Sequence, residues 1–113
     1  MILIAIVGAN GKTGRELVKQ SLQKGLSIIP IVKDDKDADQ LEAWVSVNDL
    51  RCANADHLQS LQAALSDATA VISCIDSRTS GYGAPRYGRY AAGNVVNVAT
   101  ELGINKILHL SVM

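Results

Sequence analysis

An apolar strand that runs straight into a ladder of glycines fixes most of what this chain can become. Ile2-Leu3-Ile4-Ala5-Ile6-Val7 is apolar without a break, and Gly8-Ala9-Asn10-Gly11-Lys12-Thr13-Gly14 follows before a helical pattern begins. Such a run predicts a strand covered on both faces, as in a parallel sheet. Glycine at three-residue spacing then permits a tight turn at Gly8, close approach of a ligand at Gly11, and packing of the new helix onto the strand at Gly14. The unpaired N–H groups of that helix start would face a bound anion, so a nucleotide's phosphates are expected there.

The rest of the chain alternates strand and helix. Residues 12 to 25 carry a stripe at Gly14, Leu17 or Val18, Leu22 and Gly25, which predicts a helix crossing back over the sheet. Ile28-Ile29-Pro30-Ile31-Val32 reads as a second strand, although its proline removes a ladder donor. After the polar loop Lys33 to Asp37, Asp37 is placed to cap a short helix through Leu41 and Trp44, and Val45 to Cys52 supplies a third strand. Leu58, Leu61 and Leu65 form one face of a helix, and Ala70 to Ile75 is a fourth strand. Pro85 suits the first turn of a helix with the stripe Ala91, Val95, Val98, Ala99 and Leu102, closed by Gly103. Lys106 to Ser111 is a fifth strand. Right-handed crossovers arrange these elements as an α/β fold, an open, doubly wound, Rossmann-like parallel sheet of order 3-2-1-4-5. Its crevice falls between the carboxyl ends of strands one and four, into which Gly8 to Gly14 and Ser73 to Pro85 both empty.

Composition narrows the partners. A chain of 113 residues makes one domain, 1–113, and 48% hydrophobic against 19% charged residues fits a globular protein with large buried strands. Eleven basic and eleven acidic residues cancel, so no general pull toward nucleic acid or membrane is expected. The six-residue apolar start is too short for a signal peptide or a span. Cys52 and Cys74 lack metal-ligand spacing to His57 or His109, so no metal site is expected and the cysteines read as reduced cytoplasmic thiols.

Two chemistries compete for the loop. Gly8-x-x-Gly11-Lys12-Thr13 resembles the short ATP loop of the Mur ligase family, and Asp76 after an apolar strand could imitate a magnesium-holding aspartate. Gly14, however, completes a G-x-x-G-x-x-G spacing that an ATP loop does not need. The segment Gly93-Asn94-Val95-Val96-Asn97-Val98-Ala99-Thr100-Glu101-Leu102-Gly103-Ile104, leading through Lys106 to Ser111, resembles the fourth helix and fifth strand of atypical and extended short-chain dehydrogenases. With the glycine ladder standing for G-A-T-G-x-x-G, the chain resembles the NmrA-like, NAD(P)H-binding branch over essentially its whole length. That resemblance implies a dinucleotide cofactor, an oxidoreductase module or a redox-cofactor sensor, and a small-molecule acceptor if hydride is transferred.

Candidate contacts follow. Gly8, Asn10, Gly11, Thr13 and Gly14 belong to the phosphate loop, and Lys12 is either a solvated lysine or a cation beside the pyrophosphate or 2′-phosphate. Lys33 stands at the end of strand two, where an acid favours the 2′-hydroxyl of NAD and a base favours the 2′-phosphate. It resembles the V-R of NADP-binding relatives, so NADP is favoured over NAD, with Asp34 and Asp35 close enough to oppose a phosphate. Asn54 and Ala55 fall where relatives hold the adenine ring, and a plain turn asparagine suits the position equally. The resemblance places Ser73 and Cys74 along the crevice, while Cys74 on its own reads as a small buried hydrophobe.

No catalytic residue can be assigned. Carbonyl-reducing relatives place Tyr-x-x-x-Lys after strand five, but Tyr82, Tyr87 and Tyr90 precede it and are followed four residues on by Arg86, Ala91 and Asn94. His109 reads as an edge-strand or core histidine, and Ser111 as a strand-ending serine without a tyrosine partner. Relatives continue past this point, so the chain is expected to be a cofactor half truncated after strand five, whether natural, by construction or by cleavage. Strand five is then an open edge, predicting a homodimer through it or the preceding helix.

Overall fold

A computed structural model describes residues 2–9, 11–33, 50–53, 57–74 and 85–109, with side chains of the last helix described from residue 93 onward. Strands β1 (Ile4–Val7), β2 (Ile28–Val32), β3 (Arg51–Cys52), β4 (Ala70–Ser73) and β5 (Ile107–His109) form one parallel sheet in the order β3-β2-β1-β4-β5. Helices α1 (Lys12–Gln23), α2 (Leu58–Leu65) and α3 (Pro85–Glu101) connect them. The expected helix over Asp37 to Trp44 and the expected strand residues 45 to 49, 75, 110 and 111 lie outside the described residues.

Strand alternation divides the core between the two faces of the sheet. Ala5, Val7, Ile29, Ile31 and Val71 pack with Leu61, Ala64 and Leu65 of α2 and Val95, Val98 and Ala99 of α3. Ile6, Val32 and Cys74 point the other way, toward Val18 of α1 and Ala9. Each central strand is therefore apolar on both sides, which is why the sequence shows runs rather than alternation.

Pro30 is fully buried within β2, opposite Ile6 of β1. The carbonyl of Ile31 accepts from the Gly8 and Ala9 N–H groups on the β1 side, while that of Val32 accepts from Ala53 N–H (2.8 Å) on the β3 side. Alternation puts Pro30 on the side of Val32, and the described pairing with β3 begins only at Ile31 opposite Arg51. The missing N–H thus points toward β3, one residue before the described pairing begins.

Three leucines assigned to buried stripes are exposed: Leu22 (38%), Leu58 (48%) and Leu102 (39%). On α1 the inward residues are Gly14, Val18 and Ser21, and Leu22 sits on the flank of that stripe. Leu58 is in phase with Leu61 and Leu65 but opens α2, so its side chain leans off the helix end. Leu102 follows the last residue of α3, where the chain is already turning. Gly103 adopts φ +80°, its N–H bonds the Thr100 carbonyl, and Ile104 N–H reaches back to Ala99 O (2.9 Å). Ile104 then takes the buried place that the periodicity had given to Leu102.

Two polar ties hold the periphery. Thr69 accepts from Leu3 N–H at its Oγ1 (2.7 Å) and donates the same hydroxyl to Leu3 O (3.1 Å), fixing the start of β1 to the approach to β4. Arg51 forms a two-pronged pair with Asp67 (2.6 and 3.0 Å) and also donates to the Ala64 carbonyl (2.8 Å), joining β3 to the end of α2.

Candidate functional site

The carboxyl end of β1 feeds a short turn into α1, and the three described glycines of that turn differ in what they do. Gly8 has φ +78°, in the left-handed region that favours glycine. Its carbonyl accepts from Gly11 N–H (3.2 Å), and the Gly8 and Ala9 N–H groups are tied to Ile31 O (3.0 and 3.1 Å). The turn is thereby anchored to β2.

Gly14 is buried, and a Cβ there would collide with the backbone of Gly8 and Ala9, reaching 2.8 Å from Ala9 Cα. The helix can sit this close to the strand end only because Gly14 lacks a side chain. Gly11 is different. It is exposed, has φ −71°, and a Cβ there would meet only Gly8 O at an ordinary 3.5 Å. The chain itself does not demand glycine at that position.

Gly11 is also the N-cap of α1. Its carbonyl accepts the first helical bond, from Arg15 N–H (2.8 Å), but no side chain caps the helix and the first turn carries no acid. The N–H groups of Lys12, Thr13 and Gly14 have no intrahelical acceptor by construction of the helix. Uncapped donors, the positive end of the helix dipole and the exposed Lys12 make one cation-like cradle that fits a phosphate group.

Other residues named from the sequence surround this point in different ways. Lys33 directly follows β2, half-buried, one strand away from the loop. Ser73 ends β4 in register with Val7, fully buried, and its Oγ has no hydrogen-bond partner among the described residues. A buried hydroxyl left without a partner costs roughly 1 to 3 kcal/mol, so its place at the mouth of the crevice is notable. Cys74 donates its N–H to Val7 O (2.8 Å), and its side chain packs beneath the loop with Ala9 and Val18. Burial pushes the Cys74 thiol up to about 11, which keeps it neutral.

Asn10, Asn54 and Ala55 lie outside the described residues, as do Asp34, Asp35, Asp76, Tyr82 and Ser111. Tyr87 and Tyr90 fall within α3, with side chains outside the description. His109 is exposed on β5. Among the described residues no group of three or more metal-ligating side chains comes together, and no helix is long and apolar enough to cross a membrane. Spacing alone does not single out Arg15, which directly follows the third glycine and is half-buried.

A family described as NAD(P)H-binding matches residues 8–113, which include the whole glycine loop and every later element. The chain belongs to this NAD(P)H-binding family. The match supports a dinucleotide, and nothing in the comparisons supports the ATP alternative. No curated protein matches the chain.

Among solved structures, the same fold is seen in larger proteins. An NADPH-dependent quinone oxidoreductase from Escherichia coli, complexed with NADPH, superposes with a TM-score of 0.71 at 27% identity, covering 94% of this chain and 35% of that one. The triphenylmethane reductase of a Citrobacter species, complexed with NADP(H), gives 0.68 at 28% identity, covering 94% and 36%. A nucleoside-diphosphate-sugar epimerase from Pseudomonas aeruginosa gives 0.72 at 18% identity, covering 96% and 32%, and shows the shared fold alone. This chain spans about a third of the length of each.

Proposed function

We propose that this domain is the NADP(H)-binding module of an NmrA-like, atypical short-chain dehydrogenase, working in the cytoplasm as the cofactor half of an oxidoreductase. The observation that carries the proposal is the Gly8–Gly14 cradle, with its uncapped helix start and the base Lys33 at the end of the neighbouring strand. Gly8, Gly11, Lys12, Thr13 and Gly14, with Asn10, hold the pyrophosphate. Lys33 faces the 2′-phosphate, and Asn54 and Ala55 border the adenine. Ser73 and Cys74 close the crevice from the β4 side, with the Ser73 hydroxyl as the group awaiting a polar partner.

Two larger proteins that share the fold at 27 and 28% identity are reductases in complex with NADPH or NADP(H), which favours NADP over NAD here. When bound, NADPH supplies a hydride, and an acceptor such as a quinone or dye takes it. The residues of this chain hold and orient the cofactor, and substrate groups belong elsewhere. A second copy pairs along the outer strand β5, where Leu108 is exposed, or along the preceding helix α3, where Val96 is exposed. A monomer persisting at high concentration in sedimentation would contradict that association.

Nicotinamide fluorescence tests the cofactor assignment. NADPH is expected to bind at least about tenfold more tightly than NADH, and Lys33→Glu is expected to remove that preference. Equal affinities in the wild type would contradict the choice of NADP.

A further inference from the structure

We infer that Arg15 is a second 2′-phosphate-selecting residue, acting from helix α1 on the same side of the crevice as Lys33. The inference rests on the dinucleotide reading and adds a residue that neither motif nor spacing assigns.

Its basis is helix phase and fold handedness. Gly14 faces the strand end, as its close approach to Ala9 requires, and successive residues of an α-helix turn by about 100°. The connection from β1 through α1 to β2 is a right-handed crossover, with α1 running back antiparallel to both strands. For a right-handed helix in that setting, the step from Gly14 to Arg15 turns the side chain toward β2. The step back to Thr13 turns it toward β4. The crevice therefore has an Arg15 side and a Thr13 side, and Lys33 stands at the end of the strand on the Arg15 side.

Reach and charge agree with this placement. Arg15 lies four residues beyond the N-cap Gly11, about 6 Å along the axis, and helical side chains lean toward the N-terminus, so an arginine can bring its guanidinium to the level of the cradle. Among the described residues its side chain has no hydrogen-bond or ion-pair partner, although the residue is partly buried. Glu16 points to the opposite side of the helix from Gly14 and accepts from Gln20 (2.9 Å), so the neighbouring acid is not placed to neutralise it. A planar guanidinium with two parallel donors suits a phosphate monoester, and the uncharged 2′-hydroxyl of NAD gives it no comparable partner.

The test compares wild type, Arg15→Gln and Arg15→Lys in calorimetric titrations with NADPH, NADH and 2′,5′-ADP, alongside thermal unfolding without ligand. The expected result is that Arg15→Gln lowers the NADPH to NADH affinity ratio about tenfold and weakens 2′,5′-ADP equally. Arg15→Lys should retain part of the preference, with the unfolding midpoint held in all three. An unchanged ratio in Arg15→Gln, or equal losses of NADPH and NADH, overturns the role of Arg15. Failure of the wild type to bind either dinucleotide overturns the dinucleotide reading itself.

Discussion

At the scale of single residues, the glycines of one loop separate a demand of the fold from a demand of the ligand. Gly14→Ala forces a methyl against the Gly8 and Ala9 backbone. Alanine's better helix propensity recovers at most about 1 kcal/mol, while overpacking costs about 1 to 3 kcal/mol. The net expectation is a lower unfolding midpoint together with lost nucleotide binding. Gly11→Ala adds a methyl at ordinary contact distance in a backbone conformation that alanine accepts, so the midpoint should hold while NADPH binding weakens. Equal loss of stability in both variants would contradict this division.

The two cysteines make a second residue-scale contrast. Cys52 is exposed, whereas Cys74 is buried beneath the loop with its thiol raised to about 11. A thiol reagent at pH 8 should modify one cysteine rapidly in the folded protein and the second only on unfolding. Because the folded value lies above the ordinary value of 9.0, the stability tied to the neutral Cys74 is fully present below about pH 9 and is lost as pH rises toward 11. The tight turn at Gly8 and the close packing at Gly14 were legible as sequence because each answers a local geometric need. The role proposed for Arg15 was not, since it depends on helix phase combined with the hand of the crossover.

At the scale of elements, strands were easier to read than helix faces. A strand apolar on both sides announces itself, as Ile4 to Val7 and Ala70 to Ser73 do. Burial on a helix depends on where the helix ends and what lies beneath it, so Leu22, Leu58 and Leu102 were placed inward and lie outward, while Ser21 is buried. Pro30 shows the same dependence, because its missing donor lies one residue before the first described pair between β2 and β3.

The Arg51–Asp67 pair joins β3 to α2 and should contribute little. Their side chains are 36% and 53% exposed, so solvent screening limits the pair to about 0.2 to 1 kcal/mol. The hydrogen bond from Arg51 holds the Asp67 carboxyl below its ordinary value. The sign follows: this stabilisation is present above the ordinary aspartate range and is lost as pH falls through the lowered folded value. Asp67→Asn should therefore shift the denaturant midpoint slightly at neutral pH and not at all in strong acid. Arg51→Met should cost more, because it also removes the bond to the Ala64 carbonyl.

At the scale of the whole molecule, the sheet order β3-β2-β1-β4-β5 puts the β1 and β4 ends side by side where the chain changes direction. That switch point leaves a crevice at the carboxyl edge, with the uncapped end of α1 on one side and the unpartnered Ser73 hydroxyl on the other. The fold and the NAD(P)H-binding family were both legible in the sequence, because strand runs, the glycine ladder and the Gly93 to Ile104 helix all point to one architecture. No acceptor was legible, since none of the residues read from the sequence carries a catalytic pattern. The central claim is that this cradle holds a dinucleotide, and calorimetric titration of the chain with NADPH and with magnesium-ATP tests it most directly. One-to-one binding of NADPH with no heat from magnesium-ATP is the predicted result; binding of magnesium-ATP without NADPH would contradict it.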